Sequence, residues 1–169
     1  QRMIEAGRVR WCGPLGDEAI RKPAHLLEPD AKLLVAEDDA DRFVSRGGLK
    51  LAGALKHSGI AVAGLTCLDV GQSTGGFTDC LLQAGAARVV GVDVGHDQLH
   101  QRLHGDPRLV CLEGINAREL DASHLGTHLP AEGFDLIVAD LSFISLTKVL
   151  PQLPPLLNAS GQMLLLVKP

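Results

Sequence analysis

From residue 48 onward the chain alternates short runs of Val, Ile and Leu with stretches of helical spacing. Residues 66–70, 88–92, 109–112, 134–139 and 162–167 each read as a strand bounded by polar or turn-forming residues. Leu51 and Leu55, four apart, predict a helix over 49–57 that stops at Gly59. A second helix is expected over 76–84, a helical stretch over 97–103, and a proline-interrupted helix over 144–157. A turn around Asn116 follows the third strand. Strands that are apolar throughout, and not merely at alternate positions, are buried on both faces. The pattern therefore predicts an α/β fold, a Rossmann-like doubly wound parallel sheet with helices on both sides.

Residues 1–41 follow another regime, in short pieces separated by Gly and Pro. Met3 to Gly7 reads as a helix end, Arg8 to Trp11 as a strand, 13–29 as loops, and Lys32 to Ala36 as a second strand closed by Glu37-Asp38-Asp39. The expected organisation is a small N-terminal unit over 1–41, a linker over 42–48 and the sheet domain over 49–169. The chain opens on Gln1 and stops at Lys168-Pro169 directly after an apolar run, so it is read as a fragment truncated at both ends.

Composition narrows the function classes. With 169 residues, 46% of them hydrophobic, the chain can bury roughly 70% of the surface its unfolded form exposes and needs no disulfide or metal scaffold. No two of Cys12, Cys67, Cys80 and Cys111 form a CxxC pair, which argues against zinc and thioredoxin-like chemistry. Scattered free thiols without a signal peptide point to the reducing cytoplasm. The longest apolar run, 163–167, is far too short to span a membrane. With four Phe, one Trp and no Tyr, aromatic stacking is not expected as a main theme. The net charge of −4 divides unevenly, with 10 Lys+Arg against 9 Asp+Glu up to residue 60 and 6 against 11 after it. RNA contact is therefore expected from the N-terminal part, through Arg8, Arg10 and Arg46.

The most informative stretch runs from Asp69 to Thr78, Asp-Val-Gly-Gln-Ser-Thr-Gly-Gly-Phe-Thr. It follows a strand and opens a helix, where glycines admit a ligand to the backbone and free helix N–H groups hold its polar atoms. The spacing Gly71-x-x-x-Gly75-Gly76 is not the dinucleotide GxGxxG, and Phe77 stands where a P-loop needs Lys. A tight turn without a ligand is the alternative. Asp93 ends the second strand, where an acid can accept both hydroxyls of a ribose. Together, loop and acid predict a nucleoside cofactor without a pyrophosphate. Asp140 ends the fourth strand and is expected to face the same cleft, at the point where strand order reverses. Lys168 follows the fifth strand, either in that cleft or as a surface cap. Ser45-Arg46-Gly47-Gly48-Leu49-Lys50 reads as a basic linker or as a substrate-facing segment.

The motifs Ser45-Arg46-Gly47-Gly48-x-Lys50-Leu51, Asp69 to Thr78, Gly91-Val92-Asp93-Val94-Gly95, Asn116-Ala117-Arg118 and Asp140 to Leu146 occur in order along nearly the whole chain. In this set the sequence resembles the TlyA-type haemolysin family, ribosomal RNA 2′-O-ribose methyltransferases related to the FtsJ group. The resemblance implies S-adenosylmethionine as cofactor, ribosomal RNA or its subunits as partner, and residues 1–41 as the latter part of an S4-type RNA-binding domain. It implies a Lys-Asp-Lys-Glu tetrad whose first three members fall on Lys50, Asp140 and Lys168, the Glu lying beyond Pro169. The implied cofactor residues are Asp69, Gly71, Ser73, Thr74, Gly75, Gly76, Phe77, Asp93, Asn116, Ala117 and Asp140. Three departures stand out: Gln72 where a small residue is usual, Gly114-Ile115 for Arg-Thr, and His96-Asp97 for Tyr-Gly.

Ammonium groups cannot take a proton, so two lysines sharing a cleft with an Asp suggest either a base, Lys168, or groups that orient a ribose hydroxyl, with Lys50 positioning the substrate. The rival expectation is an RNA-binding module that keeps the cofactor site without turnover. The haemolysin name adds a membrane-lytic reading, for which the sequence offers no long amphipathic or apolar segment. Finally, the fifth strand is expected to form an exposed sheet edge through which copies of the chain dimerise.

Overall fold

The computed structural model describes residues 2–13, 16–36 and 41–168. Two compact units are present, Gln1–Arg42 and Phe43–Pro169.

The smaller unit holds a one-turn helix α1 (Arg2–Glu5) and strands β1 (Val9–Gly13), β2 (Gly16–Ala19) and β3 (Leu33–Val35). They form an antiparallel sheet in the order β2-β1-β3. β2 lies inside the stretch expected to be loop. Its Gly-Asp-Glu-Ala sequence carries no strand-forming side chain and every residue is exposed. Pairing of Arg10 with Ala19 and of Cys12 with Asp17 holds it in place, so the partner and not its own composition makes it a strand. The expected closing residues Glu37-Asp38-Asp39 lie outside the described residues.

The larger unit is the predicted doubly wound sheet. Its elements are α2 (Arg46–Ser58), β4 (Thr66–Val70), α3 (Gly76–Gln83), β5 (Arg88–Val92), β6 (Leu109–Leu112), α4 (Ala122–Leu125), β7 (Phe134–Ala139) and β8 (Leu157–Leu165). The five strands are parallel in the order β6-β5-β4-β7-β8. The chain winds outward from β4 through β5 to β6, then returns to β7 on the other side. Strand order thus reverses between β4 and β7, and a crevice opens at their carboxyl ends.

Alternation along each strand divides the core. Cys67, Val89, Leu136 and Val138 pack with Leu51, Leu55, Phe77 and Leu81 of α2 and α3. Leu68, Val70, Val90, Val92 and Ile137 point the other way, onto Leu120, Leu125, Val149, Leu153 and Leu156.

Besides β2 and the start of β8 at Leu157, three elements differ from expectation. α2 begins at Arg46, inside the expected linker, because Ser45 caps it: its side chain accepts the Gly47 N–H at 3.3 Å. The helix expected over 144–157 is three separate 3-10 turns, the second and third with proline at their starts, since Pro151, Pro154 and Pro155 cannot donate to a helical ladder. The stretch expected to be helical over 97–103 keeps only a 3-10 turn at Gln101–Leu103.

Candidate active site

Three strand ends and two helix starts build the site. After β4, Gly71 takes a φ of 84° and its N–H donates to the Val92 carbonyl at 2.9 Å. A Cβ there would lie 2.9 Å from a Leu141 methyl and 3.4 Å from the Asp140 carbonyl oxygen, so only glycine lets the β4 and β7 ends close up. Gly75 turns the chain into α3 and packs against Leu99 and Leu103. A Cβ on Gly76 would come within 2.1 Å of Ser45 Oγ, which brings the N-termini of α2 and α3 together.

Asp93, just beyond β5, ties this loop down. Its carboxylate accepts the Ser73 N–H on one oxygen and the Gly95 N–H on the other, both at 2.7 Å. Two lone pairs remain on such a carboxylate for a ligand. Nearby, Asp97 adopts a φ of 55°, a left-handed geometry natural to the glycine that the resemblance expects and tolerated by Asp. His96 pairs with Glu113 at 3.6 Å, in the same departing segment.

Asp140 is the meeting point. Lys50 Nζ, reaching over from α2, lies 3.3 Å from Asp140 Oδ2, and Lys168 Nζ forms an ion pair with Oδ1. Lys168 also donates to Ser142 Oγ at 3.0 Å. Lys168 does not directly follow the strand as expected, since β8 ends at Leu165; its side chain nonetheless reaches the β7 end.

Two adjoining cavities open on this cluster. The first, about 630 Å³, is lined by Arg46 and Lys50 of α2 and by Thr74, Gly76 and Phe77 at the α3 start. The second, about 510 Å³, is lined by Asp93, Asn116, Ala117 and Arg118, with Val92, Ile115 and Ile144 as apolar wall. Gly71, Ser73, Asp140 and Ser142 line both. Of the sequence-derived cofactor residues, Asp69 and Gly75 border neither. Asp69 is buried beneath the loop, where burial pushes its carboxyl up to about 7 against hydrogen bonds from Thr78, with Asp93 and Asp140 adding to the rise.

In the smaller unit, the Arg8 guanidinium donates to the Ala36 carbonyl and pairs with Asp41. Arg10 donates to the Asp17 carbonyl at 2.9 Å and is exposed. Ser45, Ser142 and Phe143 lie in the sequence motifs without an expected site role of their own; the signal for Ser45 was its place before a basic glycine pair. Phe143 is fully exposed with a φ of 64°, at the rim of the second cavity.

Residues 43–169 match the profile of the FtsJ-like methyltransferase family. This chain belongs to the FtsJ-like methyltransferase family. Among its relatives, the 16S/23S rRNA (cytidine-2'-O)-methyltransferase TlyA of Mycobacterium tuberculosis is 48% identical over 167 residues, covering 99% of this chain and 59% of that protein. Hemolysin A of Brachyspira hyodysenteriae is 44% identical over 150 residues, covering 89% of this chain and 60% of that protein. A solved structure, "Putative hemolysin from Streptococcus thermophilus", superposes with a TM-score of 0.72 at 38% identity, over 99% of this chain and 58% of that one. This FtsJ-like chain therefore spans about three fifths of the length of the relatives it matches. Among its described residues no helix is long and apolar enough to cross a membrane.

Proposed function

We propose that this chain binds S-adenosylmethionine in the second cavity and receives a ribose 2′-hydroxyl of ribosomal RNA, in the cytoplasm, from the first. The observation that carries the reading is that both cavities open onto Asp140, which already holds Lys50 and Lys168.

The second cavity suits the cofactor. Its volume of about 510 Å³ falls within the roughly 300–1,000 Å³ of small-molecule sites. Asp93 offers its remaining lone pairs to ribose hydroxyls, Asn116 and the apolar wall take the adenine, and Gly71 lets the ligand approach the backbone. When bound, S-adenosylmethionine supplies a methyl made electrophilic by its sulfonium.

The chain's own residues supply position and proton handling. A ribose hydroxyl is a weak acid, and alignment of reacting groups is among the largest sources of rate available. Lys50 and Arg46 on α2 face the first cavity and suit the phosphate–ribose backbone of RNA. Lys168, steadied by Asp140 and Ser142, orients the hydroxyl. It takes the proton only after losing its own, because an ammonium has no lone pair. Phe143 offers an exposed ring on which a nucleobase can stack. Residues 1–41 are read as part of an S4-type RNA-binding unit, in which Arg10 is better placed for phosphate than Arg8, whose guanidinium is taken up by Ala36 and Asp41.

Calorimetry with S-adenosylhomocysteine tests the cofactor assignment. Asp93→Ala should weaken binding by about 1–3 kcal/mol, and NAD should not bind. Equal affinity in wild type and variant would overturn the ribose role of Asp93.

A further inference from the structure

Beneath the 71–75 loop lies a chain of three buried polar side chains that the proposed chemistry leaves unused. Gln72 is 3% exposed, and Thr78 and Asp69 are buried with it. Gln72 Nε2 donates to Thr78 Oγ1 at 2.8 Å, and that hydroxyl donates to Asp69 Oδ2 at 2.7 Å. Room for the amide comes from β5, because a Cβ on Gly91 would stand 2.0 Å from Gln72 Nε2. Gly91 pairs with Asp69 in the β4–β5 register, so amide and carboxyl lie side by side on the sheet. Gln72 Oε1 is buried and has no partner among the described residues.

We infer that Gln72 is a positioning residue, acting through Thr78 on Asp69 to keep the cofactor loop in one shape whether or not Asp69 carries a proton. The inference rests on the reading of this loop as a cofactor site. A primary amide carries both a donor and an acceptor, and a hydroxyl can be either. With Asp69 ionised, hydrogen bonds run from Gln72 Nε2 to Thr78 to the carboxylate. With Asp69 protonated, the chain runs the other way, from the carboxyl to Thr78 to Gln72 Oε1, once the amide turns over. The same three side chains stay joined in both states. A small residue at 72 would supply neither end.

Asp69 is a group for which this matters, since burial pushes it up to about 7. The ionisable groups that face it are Asp93 beyond β5, Asp140 beyond β7, the Cys67 thiol on its own strand and the Cys111 thiol on β6. Lys50 and Lys168 are held by Asp140.

The test is calorimetric affinity for S-adenosylhomocysteine, which lacks the sulfonium charge, measured on the full chain from about pH 5.5 to about 8.5 across the Asp69 transition. Wild-type affinity should stay flat. Gln72→Met, which keeps the volume and removes both the donor and the acceptor, should make affinity change with a midpoint near 7, on the order of fivefold to tenfold for one lost hydrogen bond. Thr78→Val should reproduce that dependence and Thr78→Ser should restore the flat profile, so the pair decides the matter if Gln72→Met does not fold. Affinity unchanged in Gln72→Met, or lowered equally at every pH, would overturn the positioning role while leaving the cofactor reading intact. A wild type that binds no S-adenosylhomocysteine would overturn both.

Discussion

At the scale of single residues, the site depends on where charge is kept and where it is suppressed. Asp69 is the clearest case of suppression. Its folded value of about 7 lies above the ordinary Asp value of 3.8, so the fold favours the protonated form. Its contribution to stability is complete below about pH 4 and is lost as pH rises through about 7. Asp69→Asn, neutral at every pH, should therefore melt higher than wild type at pH ~8, by on the order of 2 kcal/mol, with the gap closing toward pH ~5. A pH-independent gap in thermal melts would contradict this. Lys168 poses the opposite question, since its ion pair with Asp140 makes it a hydrogen-bond donor. Lys168→Arg keeps a donor that cannot act as a base, and Lys168→Ala keeps neither. If orientation is its role, single-turnover methylation should fall far less in the arginine variant than in the alanine variant. Equal losses would assign Lys168 to proton abstraction. The family resemblance put Lys50, Asp140 and Lys168 in one cleft, while the residue pattern by itself left Lys168 open between the cleft and a surface cap. Neither showed that Asp140 holds both lysines, because that depends on side chains from α2 and from the segment after β8 converging across more than a hundred positions of sequence.

At the scale of elements, the strands were the legible part. β4, β5, β6 and β7 lie where the apolar runs put them, since a fully buried strand writes its length directly into the sequence. Three of the differences share one physical cause, a partner that outweighs local propensity. β2 is made by pairing with β1, and Arg46-Gly47-Gly48 is helical despite its glycines because Ser45 caps it and Phe43 packs too closely on Gly48 for a side chain there. β8 starts at Leu157, five residues before the apolar run at 162, because Leu157 pairs with Phe134 and Asn158 donates to Asp135 at 2.7 Å. Among the described residues β8 pairs on one side only, with β7. Its outer edge carries free N–H and C=O groups beside Met163, which is 36% exposed. The chain should therefore self-associate as concentration rises in sedimentation experiments, and Met163→Lys should weaken that, because edge lysines resist pairing. A monomer at every concentration would refute association through this edge.

At the scale of the whole molecule, the larger unit carries the cleft, and its basic groups Arg46, Lys50 and Lys168 are gathered around the strand ends, where they suit the approach of a polyanion. The five-stranded order puts the β4–β7 reversal at the centre of the sheet, so the glycine loop after β4, Asp93 after β5 and Asp140 after β7 meet in one place, with Lys50 of α2 and Lys168 beyond β8. Asp140 is proposed to join the two cavities into one reaction centre. The measurement that tests it most directly is methyl transfer from labelled S-adenosylmethionine to ribosomal RNA by the full-length protein. Nuclease digestion would locate the label on 2′-O-methyl nucleosides, and S-adenosylhomocysteine affinity would be measured in parallel. Wild type should label ribose, and Asp140→Ala should cut the rate by about 10²–10⁴-fold, as for loss of a positioned acid–base group, while still binding S-adenosylhomocysteine. Label on a base, or a rate unchanged by Asp140→Ala, would contradict the account.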